Sequence, residues 1–169
     1  MNRVGTGFDL HRLVSGRPLV LGGITIKHHL GLDGHSDADV LLHALADALL
    51  GAAALGDIGR HFSPNDEQYR SISSLILLGR VKKMLDDKGW KVINADTVII
   101  AEEPRLAPYV DQMGEKIAAV LAVPQCRISI KATTTEGLGV CGRGEAIAAQ
   151  AVVLLEKEDR PCPMEHEVV

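Results

Sequence analysis

Residues 36–56, SDADVLLHALADALLGAAALG, form the stretch that decides the fold of this chain. The segment is rich in residues that favour helices. Ser36 at its start is a residue type that caps helix N-termini, and Asp39 follows three positions later. Gly56 comes directly after the apolar run, where a glycine is typical of a helix end. We therefore predict a helix that begins at Ser36 and ends at Gly56.

Strand-like and helix-like segments flank this helix. The strand-like pattern that precedes it is split by the glycine pair at 22–23, and a second helical pattern stops at Gly89. In chain order, we predict strands at 2–9 and 18–27, a helix at 72–88, a strand at 91–104, a helix at 106–122, and strands at 127–135 and 145–157. This order, without internal repeats, predicts an α/β (α+β) sandwich in which helices cover one face of a mixed β-sheet.

The last strand has apolar residues at consecutive positions, AIAAQAVVLL at 146–155. A strand without polar alternation is typical of a sheet that is covered on both faces. We therefore expect neighbouring subunits to cover the face opposite the helices. The chain length of 169 residues suits one domain, predicted over 1–157, while residues 158–169 lack a core pattern and are predicted to be a mobile tail.

The composition narrows the class of protein. Hydrophobic residues make up 46% and charged residues 24% of the chain, as in ordinary globular proteins, and a net charge of −4 argues against nucleic-acid binding. Three cysteines without a CxxC pair argue against a disulfide framework and a cysteine-rich zinc site. No signal peptide or apolar span is visible, so a cytoplasmic protein without membrane association is expected; a processed plastid-type protein fits the same features.

Asp9, His11 and His43 are the first candidate site. Residues two apart on a strand point to the same side, so Asp9 and His11 can converge on one ion. Two imidazoles and one carboxylate are ligands typical of a zinc site whose fourth position is open. The His43 ring could be held by hydrogen bonds to Asp39 and Asp47, which lie four residues before and after it. Spacing alone favours the more ordinary alternative, in which the histidine is satisfied within the core and the aspartate is hydrogen-bonded on its strand.

Two further segments carry candidate phosphate-binding groups. GHSDAD at 34–39 places His35 and Ser36 before a helix N-terminus, which favours phosphate, although Ser36 could be only a cap. The segment KATTTEGLGVCGRGE at 131–145 offers hydroxyl groups, backbone N–H groups and Arg143, all of which can bind phosphate oxygens. Its Glu136 is a ligand type that Mg²⁺ prefers. A strand end followed by a glycine-rich turn is the simpler alternative there. The segments at 56–66, a candidate mobile loop, and 101–108 resemble plain surface loops.

Taken together, five blocks resemble the 2-C-methyl-D-erythritol 2,4-cyclodiphosphate synthase family of the non-mevalonate isoprenoid pathway, from about residue 3 to 156. The blocks are GFDLHR, LGG, GHSDADVLLHALADALLGAAALGDIG, TVIIAEEPRL and IKATTTEGLGVCGRGE. The resemblance implies a phosphorus–oxygen lyase that closes a cyclic diphosphate on a cytidine-diphosphate substrate and releases CMP. It also implies a homotrimer with its sheets packed toward the centre and three active sites at subunit interfaces, each with Zn²⁺ and a second ion, Mg²⁺ or Mn²⁺.

The resemblance assigns roles to residues of this chain. It implies zinc ligation by Asp9, His11 and His43, ligation of the second ion by Glu136, and transition-state stabilisation by His35 and Thr134. The implied substrate contacts are Asp9, Leu10, His11, His35, Ser36, Asp57, Ile58, Gly59, Phe62, Ser63, Pro64, Asn65, Asp66, Ala101, Glu102, Glu103, Pro104, Arg105, Leu106, Ala107, Thr133, Thr134, Thr135, Glu136, Val140 and Arg143.

Some positions depart from the family pattern. Val140 replaces a common phenylalanine beside a central cavity that some members are proposed to use for isoprenoid diphosphates, which weakens the expectation of that partner. Gly137 replaces a common lysine, and Ser73 a common aspartate. Two other functions fit the same residues: a zinc phosphohydrolase, and a non-catalytic trimer that senses a nucleotide or an isoprenoid diphosphate.

Overall fold

A computed structural model describes residues 1–63 and 65–157. Pro64, an implied substrate contact, and the predicted mobile tail at 158–169 lie outside the described residues. The strands are β1 Asn2–Val14, β2 Leu19–Leu21, β3 Ile24–Ile26, β4 Gly31–Leu32, β5 Lys91–Ile100, β6 Ile128–Thr133 and β7 Ala146–Glu156. The α-helices are α1 Val40–Ala52, α2 Ile58–His61, α3 Ser74–Asp87, α4 Val110–Leu121 and α5 Gly139–Gly142.

The five-stranded sheet has the order β4-β1-β7-β5-β6, and β2 and β3 form a separate hairpin. β5 and β6 run parallel, whereas the other neighbours are antiparallel, which confirms the predicted mixed sheet. α1 lies across β1 and β7, α3 packs against α1, and α4 packs against α3 and β6. None of the described helices has the length and hydropathy that a membrane crossing requires.

Helix α1 approaches β1 unusually closely because two strand residues facing it are glycines. A Cβ placed on Gly7 would lie 2.0 Å from the carbonyl oxygen of Ala44, and one on Gly5 would lie 2.0 Å from that of Ala48. The helix backbone therefore rests directly on the strand backbone. This close packing brings the middle of α1 over the middle of β1.

The predicted boundaries of α1 were wrong at both ends. The helix begins at Val40, and its N-cap is Asp39, whose carboxylate accepts a hydrogen bond from the Leu42 N–H. Ser36 lies outside, because Ala38 adopts a left-handed conformation (φ 58°) that interrupts the helix before it starts. At the other end α1 stops at Ala52, since Ala54 is also left-handed (φ 56°).

The sheet face opposite the helices has exposed apolar side chains. Along β1, burial alternates, so that odd-numbered residues face the helices and even-numbered ones face away. Val4 and Phe8 on that outer face are 69% and 59% exposed, and Leu10 and Val152 join the same face. In the described chain alone this face is uncovered.

Candidate metal centre and active site

Asp9, His11 and His43 converge, as the family resemblance implied. Asp9 and His11 are alternate residues of β1 on the helix-covered side, and α1 carries His43 across them. Asp9 Oδ2 lies 2.8 Å from His11 Nε2 and 3.0 Å from His43 Nδ1, and the two nitrogens are 3.2 Å apart. Ligand atoms about 3.3 Å apart surround a tetrahedral Zn²⁺. The three atoms therefore offer one face of a metal site, and all three side chains are half-buried.

The charges at this cluster are coupled. Burial opposes ionisation of Asp9, yet the imidazoles of His11 and His43 beside it hold the pKa of its carboxyl well below its usual value. Burial also disfavours protonation of His11, but its contact with Asp9 raises the His11 pKa. An anionic carboxylate in contact with two imidazoles is the donor set that divalent zinc prefers.

His11 is oriented by a backbone carbonyl. Its Nδ1 lies 2.5 Å from the Asp33 carbonyl oxygen, an acceptor, so Nδ1–H donates to that oxygen. The lone pair of the neutral ring is then on Nε2, the atom that faces Asp9 and His43. In this arrangement Nε2 of His11 carries no proton and can bind a metal ion directly.

The prediction that Asp39 and Asp47 hold the His43 ring was wrong. Asp39 caps α1 and accepts hydrogen bonds from Leu42 and Gly23 N–H groups, and Asp47 accepts one from Ile58 N–H at the start of α2. As a cap, Asp39 lies outside the helical geometry that brings residues four apart together. His43 Nε2 instead lies 3.1 Å from Ser36 Oγ and 3.0 Å from Ser74 Oγ.

Arg17 fixes the segment that contains His35 and Ser36. Its guanidinium donates to the carbonyl oxygens of Gly34 and Ser36, at 2.5 and 2.6 Å. Arg17 was not predicted as a site residue, because no local pattern shows that a residue in the turn after β1 reaches the loop before α1. His35 Nε2 lies 3.1 Å from the Asp66 carbonyl oxygen, which brings the 57–66 segment to the same region.

The 57–66 segment, predicted as a mobile loop, contains the short helix α2. Asp57 caps it by accepting a hydrogen bond from Arg60 N–H, and Asp66 accepts one from Gln68 N–H. Phe62 is buried and packs edge-on against Tyr69. Both acidic candidates of this segment, Asp57 and Asp66, therefore accept hydrogen bonds from backbone N–H groups.

A second group of candidate residues surrounds a cavity of about 640 Å³. Its walls are the segments 101–107 and 132–134, which follow β5 and end β6. Glu102 joins the segments, because its carboxylate accepts hydrogen bonds from the Thr135 and Gly137 N–H groups, and these bonds lower the Glu102 pKa. Thr134 donates a hydrogen bond from Oγ1 to Glu136, 2.7 Å away, and Glu136 is exposed.

Arg143 and Val140 lie just beyond this group. Arg143 makes an ion pair with Glu145, with Nε 2.7 Å from a carboxylate oxygen, so its charge already has a partner in the single chain. The Val140 side chain is partly exposed on α5. Glu145 would therefore compete with a phosphate for the guanidinium group of Arg143.

The two groups are not joined within one chain. Asp9, Ala149 and Ile99 share one row of the sheet, so both groups lie near the same sheet end. However, β5 and β6 are two and three strands from β1, about 10–15 Å across the sheet. Over residues 1–63 and 65–157, the structure shows no hydrogen bond between the Asp9–His11–His43 cluster and the 133–136 segment.

Comparison with known proteins decides the family. The sequence model of the YgbB family matches residues 2–156, nearly the whole described chain. This chain belongs to the YgbB family. The resemblance to cyclodiphosphate synthases is confirmed, because relatives named 2-C-methyl-D-erythritol 2,4-cyclodiphosphate synthase are more than half identical to this chain. The relative from Syntrophomonas wolfei is 61% identical over 92% of this chain and 99% of its own length, and that from Moorella thermoacetica is 63% identical over 90% and 94%.

Solved structures agree with this YgbB fold. The bifunctional IspDF of Campylobacter jejuni superposes with a TM-score of 0.90 at 40% identity, covering 94% of this chain and 43% of that protein. IspF of Plasmodium falciparum, solved as a CDP complex, gives 0.82 at 31% identity over 94% and 97% of the two chains. A further synthase, solved with CDP bound, gives 0.84 at 38% identity over 91% and 100%.

The N-cap of α1 gives this YgbB chain a testable pH dependence. Asp39 is fully buried, and burial raises its pKa to about 6, against the hydrogen bonds it accepts. A folded-state pKa above the unfolded value of 3.8 means that the folded chain binds more protons between the two values. We therefore expect this group to lower the free energy of unfolding by about 2 kcal/mol as pH rises from 4 to 7.

Urea unfolding of the wild type and Asp39→Asn at pH 5 and pH 7 measures this contribution. The amide keeps the capping oxygen but does not titrate, so the wild type should lose more stability than the variant between the two pH values. An equal pH dependence in both proteins would contradict the shift.

Proposed function

We propose that this chain converts 4-diphosphocytidyl-2-C-methyl-D-erythritol 2-phosphate into 2-C-methyl-D-erythritol 2,4-cyclodiphosphate and CMP. The observation that carries the proposal is the convergence of Asp9, His11 and His43 in a chain whose relatives bear the synthase name. In this reaction the 2-phosphate attacks the β-phosphorus within one molecule. A P–O bond forms to close the ring, and the bond to the CMP oxygen breaks.

The residue types match the needs of this reaction. The nucleophile is already an anionic phosphate oxygen, so no strong general base is required. The barrier lies in aligning like-charged phosphates and stabilising the phosphoryl charge. Zn²⁺ held by Asp9, His11 and His43 would supply a Lewis acid for the β-phosphate at its open fourth position.

His35 and Ser36 would place the erythritol phosphate. They lie in the segment that Arg17 holds, and Ser36 Oγ contacts the same His43 nitrogen as Ser74. A rigid loop next to the cluster suits in-line positioning, because misplacement of the nucleophile by about 1 Å costs much of the rate. Asp57 and the 62–66 segment would cover the methylerythritol portion.

The cavity bounded by 101–107 and 132–134 would hold the cytidine diphosphate. Two solved relatives were determined with CDP, and the cavity volume of about 640 Å³ suits a nucleotide. Glu136 beside the Thr134 hydroxyl would hold Mg²⁺ or Mn²⁺, since hard cations prefer oxygen ligands. Thr134 would then support the developing charge on the transferred phosphoryl group.

We further propose a homotrimer whose active sites lie between subunits. The outer sheet face exposes Val4, Phe8, Leu10 and Val152, and an exposed apolar patch of this kind often marks an interface with another protein chain. Because the two candidate groups are separated by two or three strands in one chain, a neighbour could bring its 133–136 segment to the Asp9 cluster. Cyclic symmetry would then form three identical sites. Light scattering should give three times the 18.1 kDa chain mass.

Subunit complementation tests this arrangement. The variants His43→Ala and Glu136→Ala should each be inactive, because each damages one half of every site. Co-expressed in equal amounts, they should regain roughly a quarter of wild-type activity, since a quarter of randomly formed interfaces combine two intact halves. Activity that stays at the level of the separate variants would show that one chain supplies both halves.

Product analysis separates the remaining functions. Incubation with the cytidyl substrate and Mg²⁺ should yield the cyclic diphosphate and CMP in phosphorus NMR spectra. A linear phosphorylated product would indicate a zinc phosphohydrolase. Nucleotide binding without turnover would indicate a sensor, and either result would overturn the proposed synthase.

A further inference from the structure

Ser74 and Asp37 form a hydrogen-bonded pair behind the His43 ring. His43 Nε2 lies 3.0 Å from Ser74 Oγ, and Ser74 Oγ lies 2.5 Å from Asp37 Oδ1. The Ser74 N–H also donates to Asp37 Oδ2, at 3.0 Å. Asp37 therefore accepts hydrogen bonds from both the hydroxyl and the backbone N–H of Ser74.

Proton counting fixes the direction of these bonds. A serine hydroxyl has one proton, and a carboxylate can only accept, so the Ser74 proton is committed to Asp37. Ser74 Oγ can then only accept from His43, which favours the imidazole proton on Nε2, and Ser36 Oγ, 3.1 Å from the same nitrogen, can accept that proton as well. The lone pair of the ring is left on Nδ1, the atom 3.0 Å from Asp9 Oδ2 and 3.2 Å from His11 Nε2.

The pair is held by the fold. Ser74 is the first residue of α3 and is only 1% exposed, so its hydroxyl has little freedom to rotate away. Asp37 belongs to the segment before α1, and its N–H donates to the Ile72 carbonyl oxygen. The contact therefore ties the start of α3 to the helix that carries His43.

We propose that Ser74 and Asp37 are positioning residues that keep His43 in the tautomer whose Nδ1 can bind a metal. This inference rests on the proposed metal centre and adds two residues to it. Without the pair, His43 would divide its proton between the two nitrogens and its ring would be freer to turn. Hydrogen-bond partners of ligating histidines commonly change metal affinity by about 10–100-fold.

Metal affinity is the first test. The metal-free protein and its variants are titrated with Zn²⁺ against a chromogenic chelator, and Co²⁺ spectra report ligand geometry. Ser74→Ala should weaken Zn²⁺ binding about 10–100-fold. Asp37→Asn should act in the same direction, because an amide N–H can donate to Ser74 Oγ and free the hydroxyl to donate to His43 Nε2.

Ser73→Ala is the matched control. Ser73 is the neighbouring serine, and as N-cap of α3 it makes no side-chain capping bond. Its variant should bind Zn²⁺ like the wild type. Unchanged affinity in Ser74→Ala would overturn the proposal while leaving the metal centre intact. A wild type that binds no Zn²⁺ would overturn the metal centre and this pair together.

A metal-free measurement keeps the test separate from folding and turnover. Without metal, Asp9 Oδ2 competes with Ser74 Oγ for the His43 proton. Nitrogen NMR of histidine-labelled protein should show the same share of Nε2-protonated His43 in the wild type and in Ser73→Ala, and a smaller share in Ser74→Ala. An equal share in Ser74→Ala and the wild type would overturn the proposal directly.

Discussion

Replacing His43 with alanine should lower CMP formation at least about a thousandfold, because a Lewis acid at the reacting phosphate is worth several kcal/mol. The variant removes Nδ1, one of the three converging ligand atoms, and leaves Asp9 and His11. The side chain lies on a helix held mainly by buried apolar residues, so the fold should persist. Phosphorus NMR measures the product, elemental analysis the bound metal, and circular dichroism the fold.

His29→Ala supplies the control for this loss. His29 is exposed, its ring lies tilted against that of His28, and it is not among the three converging ligand residues. Its variant should retain wild-type turnover and metal content. If His43→Ala lost its metal but kept more than about a tenth of its turnover, the metal would not contribute the expected stabilisation.

Replacing Gly7 with alanine should cause the largest loss of stability, more than about 4 kcal/mol, as expected when a core cannot relax around an added atom. The new Cβ would sit 2.0 Å from the Ala44 carbonyl oxygen and 2.7 Å from the Ala48 nitrogen. Both atoms belong to the α1 backbone, so relief requires that the whole helix move away from β1. That movement would also separate His43 from Asp9. Urea unfolding, or loss of soluble protein, measures the effect.

Gly51→Ala is the opposite case within the same pair of elements. Gly51 lies inside α1, and the nearest atom to its added Cβ is the Thr6 carbonyl oxygen at 4.0 Å. Alanine should therefore stabilise the helix by about 0.5–1 kcal/mol. If Gly7→Ala unfolded at the same urea concentration as the wild type, the close approach of helix and strand would be wrong.

Local sequence patterns predicted only part of the metal cluster. Alternation along β1 correctly placed Asp9 and His11 on one side, because strand geometry requires it. The meeting with His43 across more than thirty residues was predicted through family resemblance, not through spacing. The structure supplies the physical reason, since Gly5 and Gly7 let α1 settle directly on β1.

The sequence by itself determined the long strands and helices, the mixed sheet with its helix-covered face, and the metal-binding residue types, but not β4, α2 and α5, nor the separate hairpin within 18–27. The features that it determined follow from hydrophobic periodicity and backbone preferences, which act over a few residues. Only the tertiary structure decided that Asp39 caps α1, and that Ser74 and Asp37 support His43. A buried polar group takes whichever partner the packed elements bring within about 3 Å, and that depends on contacts between distant parts of the chain.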